Sequence, residues 1–140
     1  MPSANSPSSE PLWLRRPWVD ALHFQQLKRF GGLYGIRDEN ALESALARPR
    51  HQWLYNRERD MAVLAAAYGY GLTRSHGYSD GNKRIGFMAM AVFLSLNGWE
   101  LDAAEPEVVR VMLSVAAGEM PEPALAAWVR EHMVTPPLEE

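Results

Sequence analysis

Two stretches of the chain are apolar nearly all round. Met61 to Leu72 runs for twelve residues without a charged or amide side chain, and Ile85 to Leu94 for ten more. A helix with no polar face cannot lie on a surface, so both are predicted as central helices of the domain. The segment joining them, Thr73 to Arg84 (TRSHGYSDGNKR), is polar and is predicted as a loop at the mouth of the core. The remaining elements are amphipathic. Pro17, suited to a first helical position, opens a helix to Phe30 with Trp18, Leu22, Leu27 and Phe30 as its apolar stripe, and Gly31-Gly32 ends it. Asp38 is the expected N-cap of a short helix to about Ala47, with Leu42, Ala45 and Leu46 on one face and Pro49 as its stop. Residues 50–58 show no period. Asn97-Gly98 ends the second central helix, and Trp99 to Leu101 reads as a brief strand. Glu105-Pro106 opens a helix carrying Val108, Val109, Met112, Leu113 and Val115 up to Gly118. The last helix follows Met120-Pro121, with Leu125, Trp128, Val129 and Met133 as its stripe. The expected fold is all-α, about six helices around a buried central helix-loop-helix.

Composition bounds what such a fold can do. At 140 residues, 47% hydrophobic and 22% charged, the chain is one domain with a true core. Residues 1–11 (MPSANSPSSEP) read as a flexible tail, 12–134 as the domain, and 135–140 as an acidic tail. Neither a signal peptide nor an apolar run of membrane-spanning length is present, so the expected location is cytoplasmic. Without cysteine there is no disulfide, thiolate metal site or thiol nucleophile. A net charge of -3 argues against direct nucleic-acid binding. Twelve of the fourteen basic residues are Arg; of the two lysines, Lys28 belongs on a solvated helix face, whereas Lys83 falls in the central loop.

If the second central helix begins near Asn82 or Lys83, Gly81 and the residues after it present unpaired backbone N–H groups at its positive end, a ready anion site. Lys83 and Arg84 add two cations there, which the helix dipole disfavours by roughly 0.3–1 kcal/mol each, so a polyanion such as a nucleoside triphosphate is the expected ligand. Asp80 beside it would repel phosphate unless a divalent cation lay between them, and Mg2+ is held by one or two carboxylates plus phosphate oxygens. His76 brings an imidazole, the side chain whose ordinary pKa lies nearest neutrality, and is the candidate base for an incoming hydroxyl. Taken singly, a His, an Asp-Gly turn and a Lys-Arg pair are ordinary surface; nine residues holding all of them between two buried helices are not. Tyr78 is expected to turn inward as an anchor, and Met88 and Met90 to fill the core. Trp53 and Tyr55 are aromatic candidates for an adenine contact that no spacing supports.

The segment His76-Gly-Tyr-Ser-Asp-Gly-Asn-Lys-Arg84 resembles the signature of the Fic/Doc superfamily, and within it the H-x-F-x-D-x-N-K-R of the Doc (death-on-curing) toxins. Phe30 to Asp38, Leu42 to Pro49 and Ala127 to Arg130 extend the similarity, from about Trp18 to Met133. Against the Fic AMP-transferase pattern H-P-F-x-x-G-N-G-R-x-x-R, His76 takes the base position, Asn82 the phosphate-contacting Asn and Arg84 the first Arg, while Lys83 replaces a Gly and Phe87 the second Arg. The resemblance implies a Doc-type kinase, in which ATP is seated in the reversed sense and its γ-phosphate passes to a threonine of elongation factor Tu, arresting translation. His76, Asp80, Lys83 and Arg84 would be catalytic, Asp80 the Mg2+ ligand, and Gly81, Asn82, Lys83 and Arg84 the nucleotide contacts. Gly77, where Pro is frequent, is expected to loosen the loop. The inhibitory string [S/T]-x-x-x-E-[G/N] of many Fic enzymes is missing from the sequence. Inhibition is therefore expected in trans, from a cognate Phd-like antitoxin whose carboxy-terminal segment folds as a helix in a groove. Two alternatives stand beside this reading: AMP transfer to a protein hydroxyl, and a non-catalytic module that binds an antitoxin.

Overall fold

The computed structural model describes residues 9–137 and orders them as α1 (Arg16–Phe30), α2 (Glu39–Tyr55), α3 (Met61–Ser75), α4 (Asn82–Leu96), β1 (Glu100–Leu101), α5 (Glu105–Ala116), α6 (Glu122–His132) and β2 (Met133–Val134). The all-α expectation holds, and the two apolar segments lie at the centre. Leu64, Tyr68 and Leu72 of α3 and Ile85, Met90 and Phe93 of α4 are buried, each such side chain contributing roughly 1.5–3 kcal/mol. Around this pair, α2, α5 and α6 pack on α3, and α1 and α5 on α4. Asp60 caps α3 by accepting from Ala62 N at 2.9 Å, and Asp38 caps α2 by accepting from Ala41 N at 3.0 Å. Asn97, fully buried, ties the N-terminal segment to the end of α4. Its Oδ1 accepts from Leu12 N at 2.9 Å, and its Nδ2 donates to Leu12 O at 3.0 Å and Phe93 O at 2.8 Å.

Three boundaries and one buried face differ from the sequence expectation. Pro49 does not stop α2, which continues to Tyr55. A proline inside a helix costs about 3 kcal/mol, but Pro49 and Trp53 extend the buried face begun by Leu42 and Ala45, and that burial offsets the lost N–H bond. The buried face of α1 is Val19, His23 and Leu27, whereas Trp18 and Phe30 are 45% and 49% exposed. The central loop is shorter than Thr73 to Arg84, because α3 runs to Ser75 and α4 starts at Asn82. Met133 leaves the stripe of α6 and pairs in β2, opposite Leu101 in an antiparallel register that also sets Glu100 opposite Val134. Lys28 is exposed, Met90 is buried, and Met88 is half-buried. The predicted tails fall largely outside the described residues, though Pro11 is buried. No helix among the described residues is long and apolar enough to cross a membrane.

Candidate active site

α3 ends at Ser75 and is capped by His76, whose backbone takes the left-handed conformation (φ 51°, ψ 43°) and whose imidazole is exposed. A non-glycine residue there is uncommon and has to be held by its surroundings. What holds it is the next residue. Gly77 is buried, and its carbonyl accepts from Arg37 N at 2.9 Å and Asp38 N at 3.1 Å. A Cβ on Gly77 would lie 2.9 Å from Leu42 Cβ and 3.2 Å from Leu42 N. Glycine at this position therefore lets the loop press against the start of α2; it pins the loop, the reverse of the expected loosening. Tyr78 turns inward, and its phenol donates to Asp20 Oδ1 at 2.5 Å. Burial first, and Asp20 second, push that phenol well above its ordinary pKa, so it remains a donor. Above the loop lies the segment from Gly31 to Arg37, joined to it by the Ile36–Tyr78 bridge and by Ser79 N donating to Gly35 O at 3.0 Å.

Asp80 and Gly81 form the turn into α4, with Gly81 left-handed at φ 76°. The carboxylate of Asp80 is exposed but held: Oδ2 accepts from Leu33 N at 3.2 Å and Oδ1 from Gly81 N at 2.9 Å. The Leu33 bond, then the Gly81 bond, then the charges of Arg84 and Lys83 keep it below the usual carboxylate range. The first intrahelical bond of α4 is Ile85 N to Gly81 O at 3.0 Å, so the amides of Asn82, Lys83 and Arg84 have no partner among the described residues. The side chain of Asn82 is occupied, since its Oδ1 accepts from Tyr78 N and its Nδ2 donates to Tyr78 O, bracing the loop. Lys83 and Arg84 are exposed; the Arg84 guanidinium reaches Gly31 O at 3.4 Å and lies 5.0 Å from the centre of the Phe30 ring. Both line an open cleft of about 500 Å³ whose remaining wall is mostly apolar, with Phe30, Phe87, Met88, Val109, Met112 and Leu113 of α1, α4 and α5, and also includes Gln26 and Glu105.

These residues can receive an anion and a metal in one combination. No group of three or more His, Cys, Asp or Glu among the described residues could cage a cation unaided. A single ionised carboxylate beside an open helix N-terminus fits Mg2+ carried in with phosphate oxygens, because Mg2+ keeps water and phosphate in most of its shell. The structure thus groups Asp80, Gly81, Lys83 and Arg84 at one helix start, while His76, at the far end of the loop, makes no hydrogen bond among the described residues. Trp53 is a core residue under Arg59, and Tyr55 ends α2, about 24 Å by helical rise from the Asp38 end that meets the loop, so neither lines the cleft. Three participants escape the motif: His23, Leu33 and Asp20. The signal for His23 is its place midway between Val19 and Leu27 on the buried face of α1; Leu33 takes part only through its backbone, which no residue pattern marks.

The Fic/DOC family matches residues 13–94, more than half of the chain. "Protein kinase doc" of Escherichia phage P1 is 29% identical over 110 residues, covering 79% of this chain and 86% of its own. "Toxin Doc" of Mycolicibacterium smegmatis is 40% identical over 78 residues, 53% of this chain and 58% of its own. With the helical architecture and the loop before α4 on the same footing, the chain belongs to the Fic/DOC family.

Proposed function

We propose that the protein is a Doc-type toxin, a protein kinase that uses Mg-ATP to phosphorylate a threonine of elongation factor Tu. The observation that supports this most directly is the ionised Asp80 beside the unpaired first-turn amides of α4, flanked by Lys83 and Arg84. The names of the two relatives, a kinase and a toxin, point the same way. In this reading the threonine hydroxyl attacks the γ-phosphorus, the bond to the β-phosphate oxygen breaks, and His76 takes the hydroxyl proton. The open amides of Asn82, Lys83 and Arg84 and the cations of Lys83 and Arg84 would seat the phosphates at the Gly81 turn, whose own amide is taken by Asp80, and Asp80 would hold the metal. Mg2+, when bound, neutralises charge on the bridging phosphate oxygens. Phe87 leaves the next turn of α4 without a guanidinium, so the cationic grip ends at Arg84. The antitoxin partner would be Phd-like, and the apolar cleft beside Lys83 and Arg84 offers its helical segment a place from which to block the nucleotide.

The test is incubation of the purified protein with elongation factor Tu and ATP labelled at the γ-phosphate. Label should pass to the factor and fall by at least about a hundredfold in His76→Ala, the scale of a lost general base. Transfer from α-labelled ATP instead would move the assignment to AMP transfer. No transfer from either, with full antitoxin binding, would leave a binding module.

A further inference from the structure

We propose that His23 of α1 is a positioning residue for the Asp80–Gly81 turn, holding the metal-binding carboxylate and the start of α4 in register through the backbone of Asp80. The inference rests on reading that turn as the Mg-nucleotide site. His23 is 5% exposed, on the face of α1 where Val19 and Leu27 are its neighbours one turn away. A leucine would fill such a slot. The imidazole instead places Nε2 at 2.7 Å from Asp80 O, and because a carbonyl only accepts, Nε2 carries the hydrogen.

The ring is fixed from both sides. It stacks on Tyr78 with centroids 3.7 Å apart and planes 11° from parallel, and Tyr78 is itself anchored to Asp20 one turn earlier in α1. Asp20 in turn accepts from Arg16 Nε at 2.9 Å. Against Gly81 the ring leaves little room: a Cβ there would stand 3.3 Å from Nε2 and from Leu27 Cδ2. Asp80 is consequently held at three points by three elements, its carbonyl by α1, Oδ2 by the Leu33 amide and Oδ1 by the turn itself. Two other carbonyls of the loop are tied elsewhere, Gly77 O to Arg37 and Asp38, and Tyr78 O to Asn82. Among the described residues, His23 supplies the one side-chain donor to the residue that would meet the metal. A packing role alone would need the ring's volume; a positioning role needs its donor.

His23→Leu and His23→Gln separate the two, since Gln carries an N–H donor at a reach like that of Nε2 and Leu does not. In the full chain, with ATP saturating, His23→Leu should raise the Mg2+ concentration for half-maximal phosphate transfer by at least about tenfold, and His23→Gln should restore it to within about threefold, as for residues that orient metal ligands. Hydrogen exchange supplies an arm independent of activity. In His23→Leu the amides of Leu33 and Gly81, both donors to Asp80, should exchange at least about tenfold faster while Val129 in α6 is unchanged. An active His23→Leu with the wild-type Mg2+ requirement overturns the proposal, as does a Gln variant no better than Leu. If the wild-type protein transfers nothing, the functional reading fails by itself, and unchanged exchange at Leu33 and Gly81 would then overturn the role of His23 as well.

Discussion

The placing of His76 turns on a residue with no side chain. Gly77 lies against the backbone of Leu42 and gives its carbonyl to two amides at the start of α2, so the strained His76 just before it is clamped between a helix end and a close contact. A methyl group at position 77 would meet Leu42 Cα at 3.1 Å and Leu42 N at 3.2 Å, backbone atoms that cannot swing aside. Gly77→Ala should therefore lower stability by about 1–3 kcal/mol, the range for overfilling a packed site. It should also reduce phosphate transfer by more than the folded fraction explains. Urea midpoints beside single-turnover rates would show both; a variant with wild-type stability would mean that loop and α2 part easily, and that His76 is not held from this side.

Between elements, the crossing of α3 and α4 decides where the loop can stand. Their approach depends on Gly86, where an added Cβ would collide with Thr73 Oγ1 and come within 3.0 Å of Gly69 O. Thr73 is buried and β-branched, so it yields poorly. Gly86→Ala should cost about 1–3 kcal/mol and move the start of α4 away from α3, weakening nucleotide binding as well. Calorimetric melting and ATP titration of the folded variant would check this, and tight ATP binding despite a lowered melting point would separate the crossing from the site. These two helices were legible because their apolar runs leave no polar face to argue over. α2 was harder, since Pro49 carries a strong local stop that tertiary burial of Pro49 and Trp53 overrides. In α1 the misleading signal was size: Trp18 and Phe30 look like core, yet the helix buries Val19, His23 and Leu27. The site divides in the same way. Residues of the loop itself could be read in order, whereas His23 and the Leu33 amide reach Asp80 across 57 and 47 positions of chain, a distance no local pattern spans.

Across the whole molecule, three carboxylates report how acid should unfold it. Glu39, Asp80 and Glu107 are each held below their ordinary values of 4.5, 3.8 and 4.5 in the fold. Their causes differ: for Glu39 the first is the Arg16 guanidinium, for Asp80 the Leu33 and Gly81 amides, for Glu107 the indole N–H of Trp128, with His132 and Arg110 adding charge. A depressed folded value means that the unfolded chain binds more protons in the acid range. The stability these groups contribute is thus complete above the ordinary carboxylate pKa and lost as pH falls through the folded one. Denaturation midpoints measured from about pH 6 to 3 should fall steadily below about pH 4.5, and Glu39→Gln and Glu107→Gln should each flatten that fall, lying below wild type near neutrality and converging with it in acid. Salt then tells the two apart. At about 1 M NaCl the Debye length shrinks to about 3 Å, so the Arg16–Glu39 attraction on the exposed surface is screened, whereas the bond from the neutral Trp128 indole to Glu107 is a short-range contact that salt leaves in place. The flattening by Glu39→Gln should therefore diminish in salt more than that by Glu107→Gln. Equal loss in both would show that charge, and not the indole, sets the Glu107 carboxyl, and that the α5–α6 end of the molecule is held electrostatically like the α1–α2 end.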